Sequence, residues 1–264
     1  MAKQSGLGDN FYLGGYDLSG DVGALGRIAG GLAGTQDVTG INAHAFERTG
    51  LRRDGGIDWT SFFNPERASD DPPNTEDRAH AVLSTLPTTD RTITYCRGTA
   101  LGSPAASLIG KQLSYDPTMA ADGSLTIAVQ SVPNGYGLEW GRLLTAGPRT
   151  DTAATNGPSV DFGLGSSGTG PSEFGLQAWL HVFAFTGTDA TITLQESGDN
   201  GAADSWAAVT GGAFAQVTSG PGAQRIQTAR DQTVERYLRV ATSGTFSELV
   251  FAVVAVRNDT LVEF

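Results

Sequence analysis

After residue 172 the sequence is divided into short runs in which apolar and polar residues alternate. A period of two places apolar side chains on one face of a β-strand. Turn-forming segments at 186–189, 199–201, 211–212 and 243–244 separate the runs. The pattern predicts an antiparallel β-sandwich over 172–264. Its predicted strands are 174–185, 191–196, 206–209, 213–217, 225–228, 234–242 and 246–257.

The first part of the chain also favours short strands joined by glycine turns. Glycine accounts for 36 of the 264 residues, well above the usual share of roughly 7%. The glycine-rich segment 14–34 is predicted to be a flexible arm. Strands are predicted within 10–16, 57–63, 92–97, 108–115, 124–132 and 138–145, with a long hairpin loop at 116–123. In 108–115, Ile109, Leu113 and Tyr115 share one parity.

The segment 37–63 combines a polar loop with an alternating strand. Asp54-Gly55 is a turn signal, because glycine accepts a positive φ and aspartate tolerates it. A turn is therefore predicted at 53–56. The strand that follows has Ile57, Trp59 and Ser61 on one face and Asp58, Thr60 and Phe62 on the other.

One amphipathic helix is predicted at about 75–86. Asn74 or Thr75 can cap it, Glu76 and Asp77 suit its first turn, and Pro87 stops it. Its apolar face consists of Ala79, Val82, Leu83 and Leu86. A single such helix in a β-rich chain is expected to pack across a sheet.

A segment rich in Gly, Pro, Ser and Thr, 146–172, predicts a boundary between two domains. The predicted domains are 1–160 and 172–264, with a linker at 161–171, and the second domain is expected to be separable. The linker contains Gly-x-Gly-x-x-Gly at 163–168. A dinucleotide site would require a helix directly after this motif, and Thr169-Gly170-Pro171 cannot open one well.

The charge of the chain argues against nucleic-acid binding. There are 28 acidic and 17 basic residues, a net charge of −11, and only two lysines, Lys3 and Lys111. Such a chain lacks the basic surface that grips phosphates. An acidic surface would instead let DNA pass without adhering.

No residue pattern predicts an enzyme, a metal site or a cofactor. The three histidines, His44, His80 and His181, lie in different predicted elements without metal-ligand spacing. No Gly-x-Ser-x-Gly elbow is present. The segment 199–204 has the carboxylates for calcium but lacks the later Glu of an EF loop, which favours an Asx-type turn. Cys96 is expected to be a small buried hydrophobe.

Two further sequence patterns favour an ordinary structural role over a specialised one. Trp179, Trp206, Phe214 and Tyr237 could form a carbohydrate-stacking surface, but aromatic residues in sandwich strands are more often core. The N-terminus has no apolar core region, and no apolar run is long enough to span a bilayer. The protein is therefore expected to be soluble in a cytoplasm when it is made, and not to be inserted in a membrane.

The order of these features resembles the tail tube proteins of long-tailed bacteriophages, especially those of actinobacterial hosts. An N-terminal strand and arm (10–34) come first, and a loop then leads through Arg52-Arg53-Asp54-Gly55 into the strand from Ile57. The helix, the strands from Thr92 and a hairpin ending in 122–129 follow. The resemblance covers residues 1 to about 160, and the C-terminal part looks like the sandwich domains appended to phage structural proteins.

The resemblance implies assembly without catalysis. Subunits would form rings, typically hexameric, which stack around a tape-measure protein and meet tail-terminator and tail-tip proteins. The resulting tube would conduct DNA without binding it specifically, in a virion assembled in the host cytoplasm. The alternatives are a capsid decoration or other virion accessory protein, and a carbohydrate-binding module.

Two sets of residues are predicted to serve assembly. In the loop 39–54, the set Arg48, Arg52, Arg53 and Asp54 is predicted to contact a neighbouring subunit, because the planar arginine fork binds carboxylates. The wall of the lumen is predicted to be acidic or neutral. Its candidate residues are Asp58, Thr60, Thr126 and Gln130.

Overall fold

The computed structural model describes residues 5–65, 79–163 and 170–261. Over these residues the chain is mainly β with one short helix, and every strand pairing is antiparallel, which confirms the predicted fold class. The elements of the first part are β1 (Asn10–Leu13), β2 (Tyr16–Asp17), β3 (Val22–Leu32), β4 (Thr35–Asp37), β5 (Arg48–Gly50), β6 (Arg53–Phe62), α1 (Ala79–Leu83), β7 (Arg91–Cys96), β8 (Pro104–Gln112), β9 (Asp116–Met119) and β10 (Leu125–Pro133).

The remaining strands are β11 (Glu139–Leu143), β12 (Arg149–Asp151), β13 (Asn156–Asp161), β14 (Leu176–Ser197), β15 (Ala207–Ala213), β16 (Gly222–Gln227) and β17 (Tyr237–Arg257). One hydrogen-bonded path runs through the molecule in the order β15-β14-β17-β11-β8-β10-β6-β3. The β4–β5 pair forms a separate two-stranded ribbon.

The core of the first part lies under β6 and β10. Ile57, Trp59 and Ser61 are buried, as their alternation predicts, and the Trp59 ring lies 4.7 Å from that of Phe11. The turn predicted at 53–56 is wrong, because these residues already belong to β6. Gly55 is required there by packing, since a Cβ atom would lie 2.4 Å from the Ala29 carbonyl oxygen.

The segment 14–34 is not the flexible arm that its glycines predict. It contains β2 and the eleven-residue β3, which pairs with β6 along its whole length. The chain reverses further on, between β4 and β5. Glycine lowers intrinsic strand preference, so this pairing depends on β6 and is invisible in local sequence.

The helix is confirmed over its described part, and residues 75–78 of the prediction lie outside the described residues. Ala79, Val82 and Leu83 are buried against the sheet. The helix ends at Leu83, so Leu86 is exposed and does not extend the apolar face. The amide of Ala79 donates to the Asp21 carboxylate at 2.8 Å, which satisfies a helix-end donor from a distant part of the chain.

Several strands lie where the sequence predicts loops or a different register. β8 ends at Gln112, so the prediction that Ile109, Leu113 and Tyr115 share one face of a strand is wrong. Leu113 lies beyond the strand and is exposed. β9 lies in the predicted hairpin loop 116–123 and pairs with β10. β12 and β13 lie in the predicted boundary segment and pair with β17.

β14 and β17 form one long, bent pair. The segments 186–189 and 243–244, predicted as turns, lie inside these strands, and β-bulges interrupt the register at 186–189. A bulge bends and twists a strand without ending it. Both ends of the pair therefore contribute to one buried cluster, which contains Leu180, Ile192 and Phe251.

The two predicted domains share strand pairing and core. β11 pairs with β8 on one side and with β17 on the other. A third buried cluster contains side chains from both parts, among them Tyr12, Leu143, Phe183 and Val254. The strand pairing thus crosses the predicted linker, and separate folding of the two parts stays a prediction.

A buried histidine also links the two parts. His181 of β14 accepts a hydrogen bond on Nδ1 from the Gly15 amide at 3.3 Å. Its Nε2 lies 2.9 Å from Thr94 Oγ1, which in turn lies 2.9 Å from Ser107 Oγ. Burial lowers the pKa of His181 to about 3, so the ring is neutral and Nε2–H donates to Thr94.

Candidate functional site

The four residues predicted to line a lumen lie on one face of the sheet. In the β6–β10 register, Asp58 lies opposite Gln130, Thr60 opposite Ala128, and Thr126 opposite Phe62. Opposed residues of an antiparallel pair project to the same side. This side is the partly or fully exposed one, because the alternate residues form the core. The name "outer face" is used below for this side of β3, β6, β10 and β9.

The outer face is acidic. By register it carries the carboxylates of Asp54, Asp58 and Asp116 and the guanidinium of Arg27. Three negative charges and one positive charge give −2. This is the sign predicted for a wall past which DNA moves. That the outer face lines a lumen stays a prediction.

The β4–β5 ribbon projects from the end of β3 and β6. We call residues 33–52 the arm. Its backbone continues the pairing of β3 with β6, since the Ala33 amide donates to the Arg52 carbonyl at 2.9 Å. Every residue of β4 and β5 is exposed. The arm therefore packs little of its surface against its own subunit.

The arm carries exposed apolar side chains at its tip. Ile41 is fully exposed, and Phe46 and Val38 are 70% and 50% exposed. Isolated exposed apolar residues are common on proteins, but here they cluster at one projecting tip. Sequence reasoning missed them as candidates, although apolar residues inside a polar loop were a usable signal. A cluster of this kind marks an interaction surface.

β3 presents an unpaired edge. Among the described residues it pairs only with β6. Edge strands are usually protected by lysine, proline or bulges. The sequence of β3 has neither lysine nor proline, and its bulges lie before Arg27. Residues 28–30, before Gly31 with its φ of +125°, thus offer regular backbone donors and acceptors to another strand.

The predicted contact residues of the loop 39–54 have different environments. Arg48 is exposed, with its guanidinium 4.9 Å from the centre of the Phe46 ring. Arg52 and Asp54 are exposed as well. Arg53 forms an ion pair with Glu139 of β11, whose side chain is only 9% exposed. Arg53 is therefore engaged within its own subunit, and the intersubunit role of the set stays a prediction.

Comparisons with known proteins place two virion proteins beside this chain. No protein-family model and no curated protein matches the sequence. One solved structure, from the virion of a native gene transfer agent particle, has 15% identity and a TM-score of 0.37, covering 52% of this chain and 98% of that one. The SPP1 Dit (gp 19.1) protein, described as a paradigm of the hub adsorption apparatus in phages that infect Gram-positive bacteria, has 12% identity and a TM-score of 0.32, covering 94% of this chain and 99% of that one. At these TM-scores neither likeness assigns a function to this chain.

The residues considered for catalysis or metal binding lie apart. His44 is exposed in the arm, and His181 is buried between the two parts. The Nδ1 atom of His80 lies 2.6 Å from the Tyr115 hydroxyl oxygen. Among residues 5–65, 79–163 and 170–261, no group of His, Cys, Asp or Glu side chains could hold a metal ion. Cys96 is buried, and burial raises the pKa of its thiol. The motif at 163–168 lies outside the described residues apart from Gly163.

The segment 199–204 is a turn stabilised by its own backbone. The Asp199 carboxylate accepts hydrogen bonds from the amides of Ala202, Ala203 and Asp204, at 2.6 to 3.1 Å. These bonds lower the pKa of Asp199, most strongly through Ala203. The carboxylate thus has partners without a cation, as the Asx-turn interpretation predicts.

The aromatic residues considered for carbohydrate binding do not form a surface. Trp179 and Phe214 are buried in the core. Trp206 and Tyr237 are half-buried, and arginine guanidinium groups lie over both rings, at 4.4 Å from Arg239 and 4.9 Å from Arg236. No helix in the described part of the chain is long and apolar enough to cross a membrane.

Proposed function

We propose that this protein is a structural subunit of a long-tailed bacteriophage virion that assembles into stacked rings forming the tail tube. The observation that carries the proposal is the arm, which projects beyond the subunit with an exposed apolar tip and stands beside the open edge of β3. The feature order of the sequence, which resembles tail tube proteins, supports the same role.

The energetics of the arm favour a bound state on a neighbour. A two-stranded ribbon alone is marginally stable in water. Burial of a side chain such as Ile41 or Phe46 contributes about 1.5–3 kcal/mol. Two or three such side chains would be buried at each contact of a closed ring. Together these contacts would stabilise an assembly that one weak contact could not hold together.

Ring closure also removes the edge of β3. A regular strand edge on the surface invites pairing with another chain, and closure pairs all such edges at once. In this proposal the ring is hexameric, and the acidic outer face lines a lumen through which DNA passes without specific binding. Tape-measure, tail-terminator and tail-tip proteins are the further partners, and the virion tail, assembled in the host cytoplasm, is the location.

The proposal assigns no enzymatic activity. The titratable groups of the described residues are dispersed or engaged in structural hydrogen bonds, as His181 and Asp199 illustrate. A glycanase or protease assay in which turnover disappears on changing one acid or one serine would contradict this part of the proposal.

The central experiment is negative-stain microscopy of the purified protein with a variant of the arm. We expect rings or tubes from the wild type and their loss in the double variant Ile41→Asp with Phe46→Asp. Each aspartate would have to be desolvated at the contact, which is strongly unfavourable. Circular dichroism and thermal melting should show an unchanged fold.

A matched control places the same change elsewhere on the surface. Leu7 and Leu261 are 90% and 71% exposed and lie outside the arm. The variant Leu7→Asp with Leu261→Asp should assemble normally. Wild-type monomers or trimers without rings would favour a capsid decoration protein or a carbohydrate-binding module over a tail tube.

A further inference from the structure

A cleft with an exposed tryptophan opens beside β11. Trp140 of this strand is 51% exposed, although tryptophan is usually well buried. The cleft has a volume of about 390 Å³, and we call it the β11 cleft. Its lining contains three large apolar side chains and three charged ones, namely Trp140, Phe162 and Val256, and Arg142, Arg257 and Asp259.

The Trp140 ring is held in place by Tyr95. The two ring centres lie 6.4 Å apart in a T-shaped arrangement. The Tyr95 hydroxyl donates to the Asp9 carboxylate at 2.6 Å, and Asp9 also forms an ion pair with Arg97. A ring that is fixed before binding loses less conformational entropy when it meets a partner.

Arg142 provides the free charge of the β11 cleft. Arg257 forms an ion pair with Asp259 at 3.1 Å, whereas half-buried Arg142 has no hydrogen bond or ion pair to any residue that the structure describes. Its guanidinium lies 5.8 Å from the centre of the Phe162 ring. A ring contact of this kind leaves the N–H donors without a protein acceptor. They remain available as the fork that binds a carboxylate.

The tip of the arm carries the complementary groups. Phe46 is 70% exposed, and Glu47, which follows it, is exposed as well. The other carboxylate of the arm, Asp37, accepts hydrogen bonds from the amide and the hydroxyl of Thr39. The Glu47 carboxylate has no hydrogen bond or ion pair within the described part of the chain.

The charges of the arm tip and the β11 cleft are opposite. Glu47 is the one charged side chain of the segment 38–47 when His44 is neutral, which gives this segment a charge of −1. Two arginines and one aspartate give the lining of the cleft a charge of +1. On each surface the unpaired charge stands close in sequence to an exposed aromatic ring, Phe46 on the arm and Trp140 in the cleft.

We propose that the β11 cleft receives the arm tip of a second copy of this chain, with Phe46 packed against Trp140 and Glu47 paired with Arg142. The inference deepens the proposed function and rests on the self-assembly stated there. Arm and cleft are different surfaces of one subunit, so the contact is head-to-tail, the kind that can close a ring. Tryptophan and arginine are also the residue types that carry most of the binding energy at protein interfaces.

A saccharide is the weaker candidate for the β11 cleft. A sugar ring could stack on Trp140, but its hydroxyl groups would need hydrogen-bond partners to replace water. Among the described residues, no Ser, Thr, Asn or Gln side chain lines the cleft. An aromatic side chain beside one carboxylate suits this lining better.

Charge reversal in the full chain tests the pair. Sedimentation velocity at low ionic strength measures self-association of the single variants Arg142→Glu and Glu47→Arg, and circular dichroism checks their fold. Each variant places like charges at the contact, so we expect association to weaken at least about tenfold. The double variant restores opposite charges and should associate within about threefold of the wild type.

Mixing the two single variants shows whether the contact joins two copies. In an equimolar mixture, the unchanged arm of the Arg142→Glu variant meets the unchanged cleft of the Glu47→Arg variant, and the two reversed surfaces also match. The mixture should therefore associate like the wild type, although neither variant does so alone. A contact within one chain would not be restored by mixing.

A surface ion pair supplies the matched controls. Asp90 and Lys111 lie 2.8 Å apart, outside both the arm and the β11 cleft. Asp90→Arg and Lys111→Glu change the net charge by the same amounts as the two test variants. Each should leave self-association unchanged, and a loss equal to that of the test variants would show that only the net charge matters.

A neutral variant keeps the test decisive if Arg142→Glu does not fold. Arg142→Gln removes the positive charge without placing a negative one in the cleft, and it should weaken association. Adding Glu47→Arg should then have little further effect, because the two side chains no longer interact as a pair. Independent, additive effects of the two substitutions would overturn the pairing.

The outcomes separate this inference from the proposed function. Loss of rings in the arm variant Ile41→Asp with Phe46→Asp, together with normal association of Arg142→Glu, overturns the inference alone. If Arg142→Glu associates normally but no longer binds a labelled hyaluronan hexasaccharide that the wild type binds, the cleft is a saccharide site instead. Restored association in the mixture without rings or tubes supports the inference and overturns the tail tube proposal. A wild type that stays monomeric at all concentrations overturns both.

Discussion

At the scale of single residues, His181 makes the stability of this protein depend on pH. Burial lowers the pKa of its ring to about 3, against an ordinary value of 6.5. Both ring nitrogens have hydrogen-bond partners that suit the neutral form, the Gly15 amide and the Thr94 hydroxyl. Protonation would place a charge among Tyr12, Phe183 and other buried groups.

We expect the free energy of unfolding to fall as the pH is lowered from 6.5 towards 3. In this window the unfolded state binds a proton at His181 that the folded state does not. The contribution is therefore present above pH 6.5 and is lost by up to about 1.4 kcal/mol per pH unit. Urea unfolding at a series of pH values measures it. His181→Gln should have a shallower dependence than the wild type, and His44→Gln in the exposed arm should retain it.

Gly15 provides a second test at the residue scale. Its φ is +93°, and a Cβ atom would lie 2.3 Å from the Gly222 amide nitrogen. Gly15→Ala combines backbone strain with a clash at the junction of β2 and β16, so we expect a loss of about 2–4 kcal/mol in the free energy of unfolding. Gly8 has a similar φ of +83° but open space around it. Gly8→Ala isolates the strain, and an equal effect of both substitutions would contradict a role for the close contact.

At the scale of elements, the strands predicted correctly are those with strong local alternation. β6 and β10 alternate apolar and polar residues, and the sequence predicts the buried face of β6, with Ile57, Trp59 and Ser61. β3 has four glycines and no such alternation, and it forms a strand because β6 lies beside it. The hydrogen bonds of a sheet form between distant segments, so a local pattern does not report them.

The predicted turns in β14 and β17 show the limits of turn chemistry. Gly187 lies where the register shifts, opposite Phe246, and Gly244 lies just beyond the shift, opposite Ala190. A Cβ atom on Gly187 would lie 2.5 Å from the Phe246 Cα atom, so glycine is needed for close approach of the two strands. Glycine signals both turns and bulges, and only the partner strand distinguishes them.

The candidate site was also partly predictable. The outer-face residues followed from the alternation of the strands, whereas the unpaired edge of β3 did not, because it depends on the pairing of β3 with β6. The exposure of Ile41 and Phe46 could not be predicted without knowing where the arm projects, and this depends on the pairing of β3 with β6.

The arm yields a prediction about stability. Replacing residues 38–47 by an Asn-Gly turn joins Asp37 to Arg48, and this two-residue connection suits a hairpin. Since every residue of β4 and β5 is exposed, we expect the free energy of unfolding of the monomer to change by less than about 0.5 kcal/mol. Urea denaturation measures it. A loss comparable to that of a core substitution would show that the arm supports its own subunit.

At the scale of the whole molecule, we expect that the first part does not fold alone, because the two parts share buried surface. Removing residues after 163 would expose Tyr12 and Leu143 and leave β12 and β13 without their partner β17. Each large apolar side chain contributes about 1.5–3 kcal/mol on burial, and a whole domain is stable by only about 5–15 kcal/mol.

We therefore expect the fragment 1–163 to lose cooperative unfolding, in contrast to the separable domain that the linker composition predicts. Thermal melting followed by circular dichroism measures this. A fragment that melts cooperatively and still forms rings would support the predicted division instead.

The outer face gives the last prediction, which concerns the passage of DNA. DNA carries about one negative charge per 1.7 Å of axis, so rings of guanidinium groups inside a tube would hold it. Asp58 and Gln130 face each other across β6 and β10. We expect tubes of Asp58→Arg with Gln130→Arg to retain short double-stranded DNA in a form protected from nuclease, and wild-type tubes to retain none. The control is Thr186→Arg with Glu248→Arg, which makes the same change of charge at a cross-strand pair of β14 and β17 in which Thr186 is exposed and Glu248 is half-buried. Its DNA should be captured on the exterior and remain sensitive to nuclease. Protected DNA in the control and none in the outer-face variant would place the lumen on the other side of the subunit.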